Sequence, residues 1–398
     1  MTVFNKRYLM TAGPTPLPPE VSQVMAEPIL YHRAPAFVEV YARVLKRLKV
    51  VFQTQNEVLL FAASGSGALE SAVANLLAPG DAALVASCGK FGERWAELCE
   101  AHGADLNHLA FEWGEKVDPA RVDAALAEAG GRVKAVFTTQ SETSTGVVND
   151  VRTLAEMARS HGAVLAVDAV SGLGAVSLPQ DEWGVDVVCA GSQKALMSPP
   201  GLAFASVSER AMEVADDAKS RGAHSYYFDW LRTRAGQVKE PPDSPFTPSV
   251  TLCMALDKAL ELIEHETLPA VFERHRTLGR AARKAVKGLG LEIFGPEDED
   301  ANVVTAIRAP EGVDGAAIPK LMRDKYGITI AGGQGRLKGK IVRIAHCGYY
   351  GAFDILATIA GLEMALEELG ADVTFGAGVA GAQEVFARAG APEPASVA

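Results

Sequence analysis

The chain has 398 residues, a formal net charge of −11 and 48% hydrophobic residues. That is enough apolar material for a large core and for two or three domains. The acidity is spread along the chain with no basic stripe, which argues against nucleic acid and against anionic membranes as partners. No apolar run is long enough to span a bilayer, and the N-terminus lacks the apolar core of a signal peptide.

Short β-rich runs alternate with helical patterns along the first half. The runs 57–63 (EVLLFAA), 82–87 (AALVAS), 133–139 (VKAVFTT), 163–169 (AVLAVDA), 185–191 (VDVVCAG) and 202–208 (LAFASVS) read as strands. Several are apolar on both faces, as buried parallel strands are. Between them GALESAVANLLAPGD and DVRTLAEMARSHG space their apolar residues as helices do, each ending near glycine. The alternation predicts an α/β fold with a mostly parallel central sheet flanked by helices.

The texture changes after about residue 235. GQVKEPPDSPFTPSV (236–250) is polar and Pro-rich and reads as a crossing loop. Helices over roughly 251–289 follow, then strands near 301–310 and 340–348 with a helix between, which together predict a smaller α+β domain. The boundaries expected are an N-terminal extension over 1–20, a large domain over 21–250, a small C-terminal domain over 251–371 and a weakly structured tail over 372–398. The last dozen residues are expected to be loosely held. The five cysteines include no C-x-x-C pair, so they read as reduced thiols of a cytoplasmic protein, with no metal site and no disulfide framework.

Ligands of an open parallel sheet collect at the carboxyl ends of its strands. SGSGALESA follows the first strand and opens a helix. Ser64, Gly65, Ser66 and Gly67 there form either an anion cradle or a serine-capped turn. Asp168 ends an apolar strand, where a carboxylate needs a cation, a cap role or a protonated ring nitrogen beside it. Lys194 follows the next strand, among Gly, Ser and Ala in VVCAGSQKALMSPPG. A desolvated lysine there is a nucleophile, unless it snorkels at the sheet edge or pairs with Asp168. Cradle, carboxylate and lysine together fit one small molecule, pyridoxal 5′-phosphate, which needs a phosphate site, an acidic partner for its ring nitrogen and a Schiff-base lysine.

At this point the sequence resembles the class V (fold type I) pyridoxal phosphate-dependent aminotransferases, in particular their alanine/serine–glyoxylate (serine–pyruvate) branch. The likeness runs from AGPTPLPPEV to VRIAHCG. By resemblance, GSQKALMSPPG makes Lys194 the cofactor-bound lysine, with Gln193 lining the phosphate site. GKFGERW nominates Phe91 as the aromatic against the pyridine ring, where some relatives have tryptophan. SETSTGV nominates Thr143 for the cofactor's ring-oxygen side, VRI nominates Arg343 for the substrate carboxylate, and FTPSV nominates Thr247 for a neighbouring subunit's phosphate. Three residues before Thr247, where the family often has tyrosine, this chain has Ser244. His32 and Arg33 are expected near the entrance. His346 is expected to be structural, and Trp95 and Trp183 to be packing residues.

The resemblance implies transfer of an amino group from a small amino acid (alanine, serine or similar) to a 2-oxo acid such as glyoxylate or pyruvate, in a homodimer with shared active sites. The alternatives are a cysteine desulfurase or related lyase of the same fold, which wants a histidine before the lysine and a mobile cysteine, and a non-catalytic subunit of a larger complex.

Overall fold

Seven strands form the central sheet. In spatial order they are Glu57–Phe61, Ala203–Val207, Val187–Gly191, Val164–Asp168, Val133–Thr139, Ala82–Ser87 and Asp105–Ala110. Only Ala203–Val207 runs against its neighbours; the other pairings are parallel. The computed structural model describes residues 6–389. Every residue of Val164–Asp168 and Val187–Gly191 is buried, because helices cover both faces of the sheet. Leu165 and Val167 enter one core while Val164 and Ala166 enter the other, the alternation that a two-period strand imposes.

The predicted helices after the first and fourth parallel strands are Gly65–Leu76 and Val151–Ser160. Asp150 caps the second, its Oδ1 accepting from the Thr153 amide at 3.1 Å. Asp105–Ala110 was not foreseen. It is an edge strand whose residues are mostly exposed, so its sequence DLNHLA lacks the apolar signature of its buried neighbours.

The helical stretch beyond the crossing loop is two helices, Val250–Glu266 and Leu268–Gly288, broken at Thr267. Residues 251–266, placed by sequence with the smaller domain, pack elsewhere. Cys253, Leu256, Leu260 and Ile263 join Phe37, Tyr41 and Val44 in the core of the large sheet. A second core gathers around Leu278, Val304, Ile344 and Ile359, under a three-stranded antiparallel sheet ordered Val304–Arg308, Ile341–Ala345, Ala331–Gly332.

The tail also departs from expectation. Ala377–Arg388 is a helix lying along Leu268–Gly288. Small residues bring the two backbones together: a Cβ on Gly288 would meet the Ala377 carbonyl oxygen at 2.7 Å, and one on Gly381 the Lys284 carbonyl oxygen at 2.8 Å. The stretch is rich in Ala and Gly, and its few apolar residues, Val379, Val385 and Phe386, make only a weak pattern, which hid this helix. Of the last dozen residues, 390–398 lie outside the described part of the chain.

The N-terminal segment straps the two halves together. Tyr8–Leu9 pairs in parallel with Ile328–Thr329, and the Tyr350 hydroxyl donates to the carbonyls of Leu9 at 3.0 Å and Thr11 at 2.9 Å. A few residues on, the Thr15 amide donates to the Gln193 carbonyl at 3.1 Å and the Thr15 hydroxyl to the Lys194 carbonyl at 2.9 Å.

Candidate active site

A cleft of about 110 Å³ opens at the carboxyl ends of the parallel strands. The sheet delivers Asp168 and Lys194 to it from adjacent strands, and the turn after Glu57–Phe61 delivers Ser64, Gly65 and Ser66.

Asp168 is only 5% exposed. Its Oδ1 accepts from the Val170 amide at 2.8 Å, and its other oxygen has no protein partner among the described residues. Burial raises its pKa to about 7; Glu142 adds to the rise, while the Val170 amide, Lys194 and Arg94 oppose it. Lys194 is partly buried, and desolvation lowers its pKa against the opposing pull of Cys347 and Asp168. The pair therefore consists of a carboxyl that binds its proton more tightly than usual and an amine that holds its proton less tightly. Such a divergence marks a site for proton transfer or nucleophilic attack.

The turn at 64–66 presents free hydroxyl and amide donors. The Ser64 hydroxyl makes no capping bond to helix Gly65–Leu76, so the serine-capped reading fails. The amides of Gly65 and Ser66 lie in the first turn, where helix amides lack an intrahelical acceptor. Gly67 does not belong to this set. Its amide donates to the Ser64 carbonyl at 2.8 Å, and a Cβ there would meet Ala63 and Phe228 rather than the cleft.

Phe91 flanks the cleft from the start of helix Lys90–Ala101. Buried Glu142 fixes this helix end: its carboxylate accepts from the amides of Phe91 at 3.1 Å and Gly92 at 2.8 Å, and from the Ser144 hydroxyl at 2.6 Å. One residue on, the Thr143 hydroxyl bonds Ser171 at 2.7 Å, and the Thr143 carbonyl accepts from Arg343 Nη1 at 2.7 Å. Arg343 also donates to the Gly332 carbonyl, from Nε at 3.0 Å and Nη2 at 2.9 Å. Three of its five N–H groups are thus held by the main chain, which fixes the plane of the guanidinium and leaves two for a ligand.

Gln193 lines the cleft with a buried Oε1 that has no hydrogen-bond partner. Thr247 is not in the cleft. It is exposed, beside Tyr227, Phe246 and Ser244 in a separate surface depression. His32 lines another depression with Tyr41 and Ser244. His346 is fully buried, its Nε2 3.1 Å from the Thr305 hydroxyl, and burial takes its pKa down to about 3. Trp95 is buried and donates to the Thr138 carbonyl at 3.0 Å. The sequence reading missed Gly13, Arg94 and Glu142. Arg94 was legible as the residue one helical turn after Phe91, on the same face.

The sequence profile of "Aminotransferase class-V" matches residues 7–348. The chain belongs to this family. Its relatives include the "Soluble hydrogenase, small subunit" of Synechococcus sp. (strain PCC 6716), 44% identical over 97% of this chain and 100% of the relative. They also include the serine–glyoxylate aminotransferase of Methylorubrum extorquens, 37% identical over 95% of each. Among solved structures, the ureidoglycine–glyoxylate aminotransferase of Bacillus subtilis superposes with a TM-score of 0.90 at 30% identity, covering 97% of this chain and 99% of that one. As a class V aminotransferase of fold type I, the chain is an enzyme that transfers amino groups.

The cleft fits the family's cofactor, pyridoxal phosphate, on its own geometry. The unpartnered oxygen of Asp168, the amine of Lys194 and the free hydroxyl and amide donors of the turn at 64–66 are complements that such a molecule requires. The desulfurase alternative loses its nucleophile. All five cysteines are buried, and burial pushes the Cys347 thiol, the one acting on Lys194, up to about 11.

Proposed function

We propose that this aminotransferase uses pyridoxal phosphate to move an amino group from a small amino acid, such as alanine or serine, to a 2-oxo acid such as glyoxylate or pyruvate. The observation that carries the reading is the pairing of Asp168 and Lys194 at the ends of adjacent strands in one cleft, with their proton affinities shifted in opposite directions. Several relatives whose names specify glyoxylate support that choice of acceptor.

When bound, the cofactor supplies an aldehyde that takes up the amino group and a ring that withdraws electrons from the substrate's α-carbon. Lys194 would hold that aldehyde, and its amine would carry a proton from the α-carbon. Asp168 holds the proton of the ring nitrogen. Phe91 covers a ring face. Arg343 presents its two remaining N–H groups to the substrate carboxylate, a planar fork that lysine cannot copy. The turn at 64–66 and Gln193 receive the phosphate.

A homodimer with shared sites belongs to the same reading. Thr247 is exposed outside its own cleft, on a Pro-rich loop, where it is free to reach a second subunit. Five unpaired cysteines agree with a cytoplasmic setting, and no described helix is long and apolar enough to cross a membrane.

A second reading, a non-catalytic subunit of a larger assembly, draws on the printed name of the 44% identical relative. One experiment separates the two. The purified protein is loaded with pyridoxal phosphate, and a panel of amino donors is assayed against glyoxylate, pyruvate and 2-oxoglutarate. The transaminase reading expects a visible absorbance band and turnover with a small donor, both lost in Lys194→Ala. No band and no turnover with any pair would leave the subunit reading standing.

A further inference from the structure

Arg94 is the cation of the cleft that none of the roles above employs. It lies near the start of helix Lys90–Ala101, one turn beyond Phe91, and its guanidinium carbon is 5.3 Å from the Phe91 ring centroid. Its Nη1 donates to the Ser66 hydroxyl at 3.1 Å. Among the described residues no carboxylate pairs with it. Four of its five N–H groups therefore have no protein acceptor, in a cleft whose nearby turn also offers free donors.

The chemistry of the Ser66 contact matters here. Because the Ser66 oxygen accepts from Arg94, its own proton is free to be donated onward. The Ser64 hydroxyl and the amides of Gly65 and Ser66 are free in the same sense. Hydroxyl, amide and guanidinium donors gathered beside the 64–66 turn suit a ligand that accepts several hydrogen bonds and carries more than one negative charge. A phosphate monoester meets both conditions. A neutral group lacks the charge, and a single carboxylate would leave most of the donors unmatched.

We infer that Arg94 binds the phosphate of the cofactor from within the same chain, with Ser66 fixing the guanidinium against the 64–66 turn. The inference rests on the cleft being the pyridoxal phosphate site. It assigns to Arg94 the charge neutralisation that uncharged Ser64, Ser66 and Gln193 cannot supply. It also makes the cleft selective for the phosphorylated form of the cofactor over pyridoxal.

The test compares dissociation constants of the apoprotein for pyridoxal phosphate and for pyridoxal, by absorbance titration. The variants are Arg94→Gln and Arg94→Lys, each first checked for an unchanged circular dichroism spectrum. Arg94→Gln is expected to weaken pyridoxal phosphate by about 10- to 100-fold, the range for a hydrogen bond to a charged group. Pyridoxal should stay within about two-fold, and Arg94→Lys should recover part of the loss. Inorganic phosphate should raise the melting temperature of the wild-type apoprotein more than that of Arg94→Gln.

Equal weakening of both ligands, or unchanged affinity for pyridoxal phosphate, overturns the assignment while leaving the transaminase reading intact. A raised KM for a dicarboxylic donor with unchanged cofactor affinity would move Arg94 to the substrate side and overturn it too. Failure of the wild type to bind pyridoxal phosphate at all would bring down both.

Discussion

Gly13 lies against the side chain of Lys194. A Cβ placed on Gly13 would sit 2.6 Å from the Lys194 amine nitrogen and closer still to Cδ and Cε. Its φ of +140° is itself a conformation that favours glycine. Gly13→Ala is therefore expected to displace the amine and cut kcat by about 100-fold, the scale of a misplaced reacting group. Gly130→Ala provides the control. Gly130 also has a positive φ, but open space surrounds its Cβ position, so only stability should respond there. Equal kcat values for the two variants would dismiss the steric argument.

The second prediction concerns Asp168. Its folded pKa of about 7 stands above the ordinary 3.8, so the folded state binds its proton more tightly than the unfolded state does. Stability of the cofactor-free protein should then fall as pH rises from about 4 to 7, by up to about 4 kcal/mol from this group, and stay level above. Asp168→Asn should remove that slope, seen as urea midpoints at pH 5 and pH 8 that converge relative to wild type. In the loaded enzyme the amide cannot hold the ring proton, and kcat should drop by at least about 100-fold. A slope that persists in Asp168→Asn would assign it to other groups.

Arg343 supplies the third. Its main-chain bonds to Thr143 and Gly332 set the guanidinium in place before substrate arrives. Arg343→Lys should raise KM for both the amino acid and the 2-oxo acid by roughly 30-fold or more, the equivalent of about 2 kcal/mol. An amine without a carboxylate should show no such rise. A change confined to one of the two acids would mean that Arg343 reads a side chain instead.

The proposed sharing of sites between two subunits yields the fourth. Lys194→Ala and Thr247→Trp are each expected to be inactive, the second because the bulk enters the neighbour's phosphate site. Mixed under conditions of subunit exchange, they should recover activity, since one site of each hybrid keeps both residues intact. A fully active species sedimenting as a monomer would refute the arrangement.

The sequence made the buried strands legible because their apolar runs have few other uses. It hid two elements for opposite reasons. Asp105–Ala110 is wet on its outer edge, and Ala377–Arg388 packs largely through glycine and alanine with only Val379, Val385 and Phe386 beside them, so the apolar signal of each is weak. At the site, the strand-end positions of Asp168 and Lys194 could be read directly. Gly13 could not, because its contact with Lys194 joins distant parts of the chain. Glu142 stands in the motif that nominated Thr143, yet its work is done through main-chain amides that no side-chain pattern announces. Gly67 was assigned to the cradle by motif alone. The helix that begins at Gly65 turns it away.

The N-terminal strap also bears on how the protein is made. The bond from Tyr350 to the Leu9 carbonyl joins residues 341 positions apart, and the bond from Thr15 to Lys194 spans 179. A ribosome releases the first of each pair long before the second, and the large sheet can close while the strap still hangs free. Until the stretch around 328–350 arrives to seat the strap, Tyr8–Leu9 has no strand to pair with and the contacts of Gly13 and Thr15 on Lys194 have no anchor beyond them. The surroundings of Lys194 are thus completed only when the chain is nearly finished.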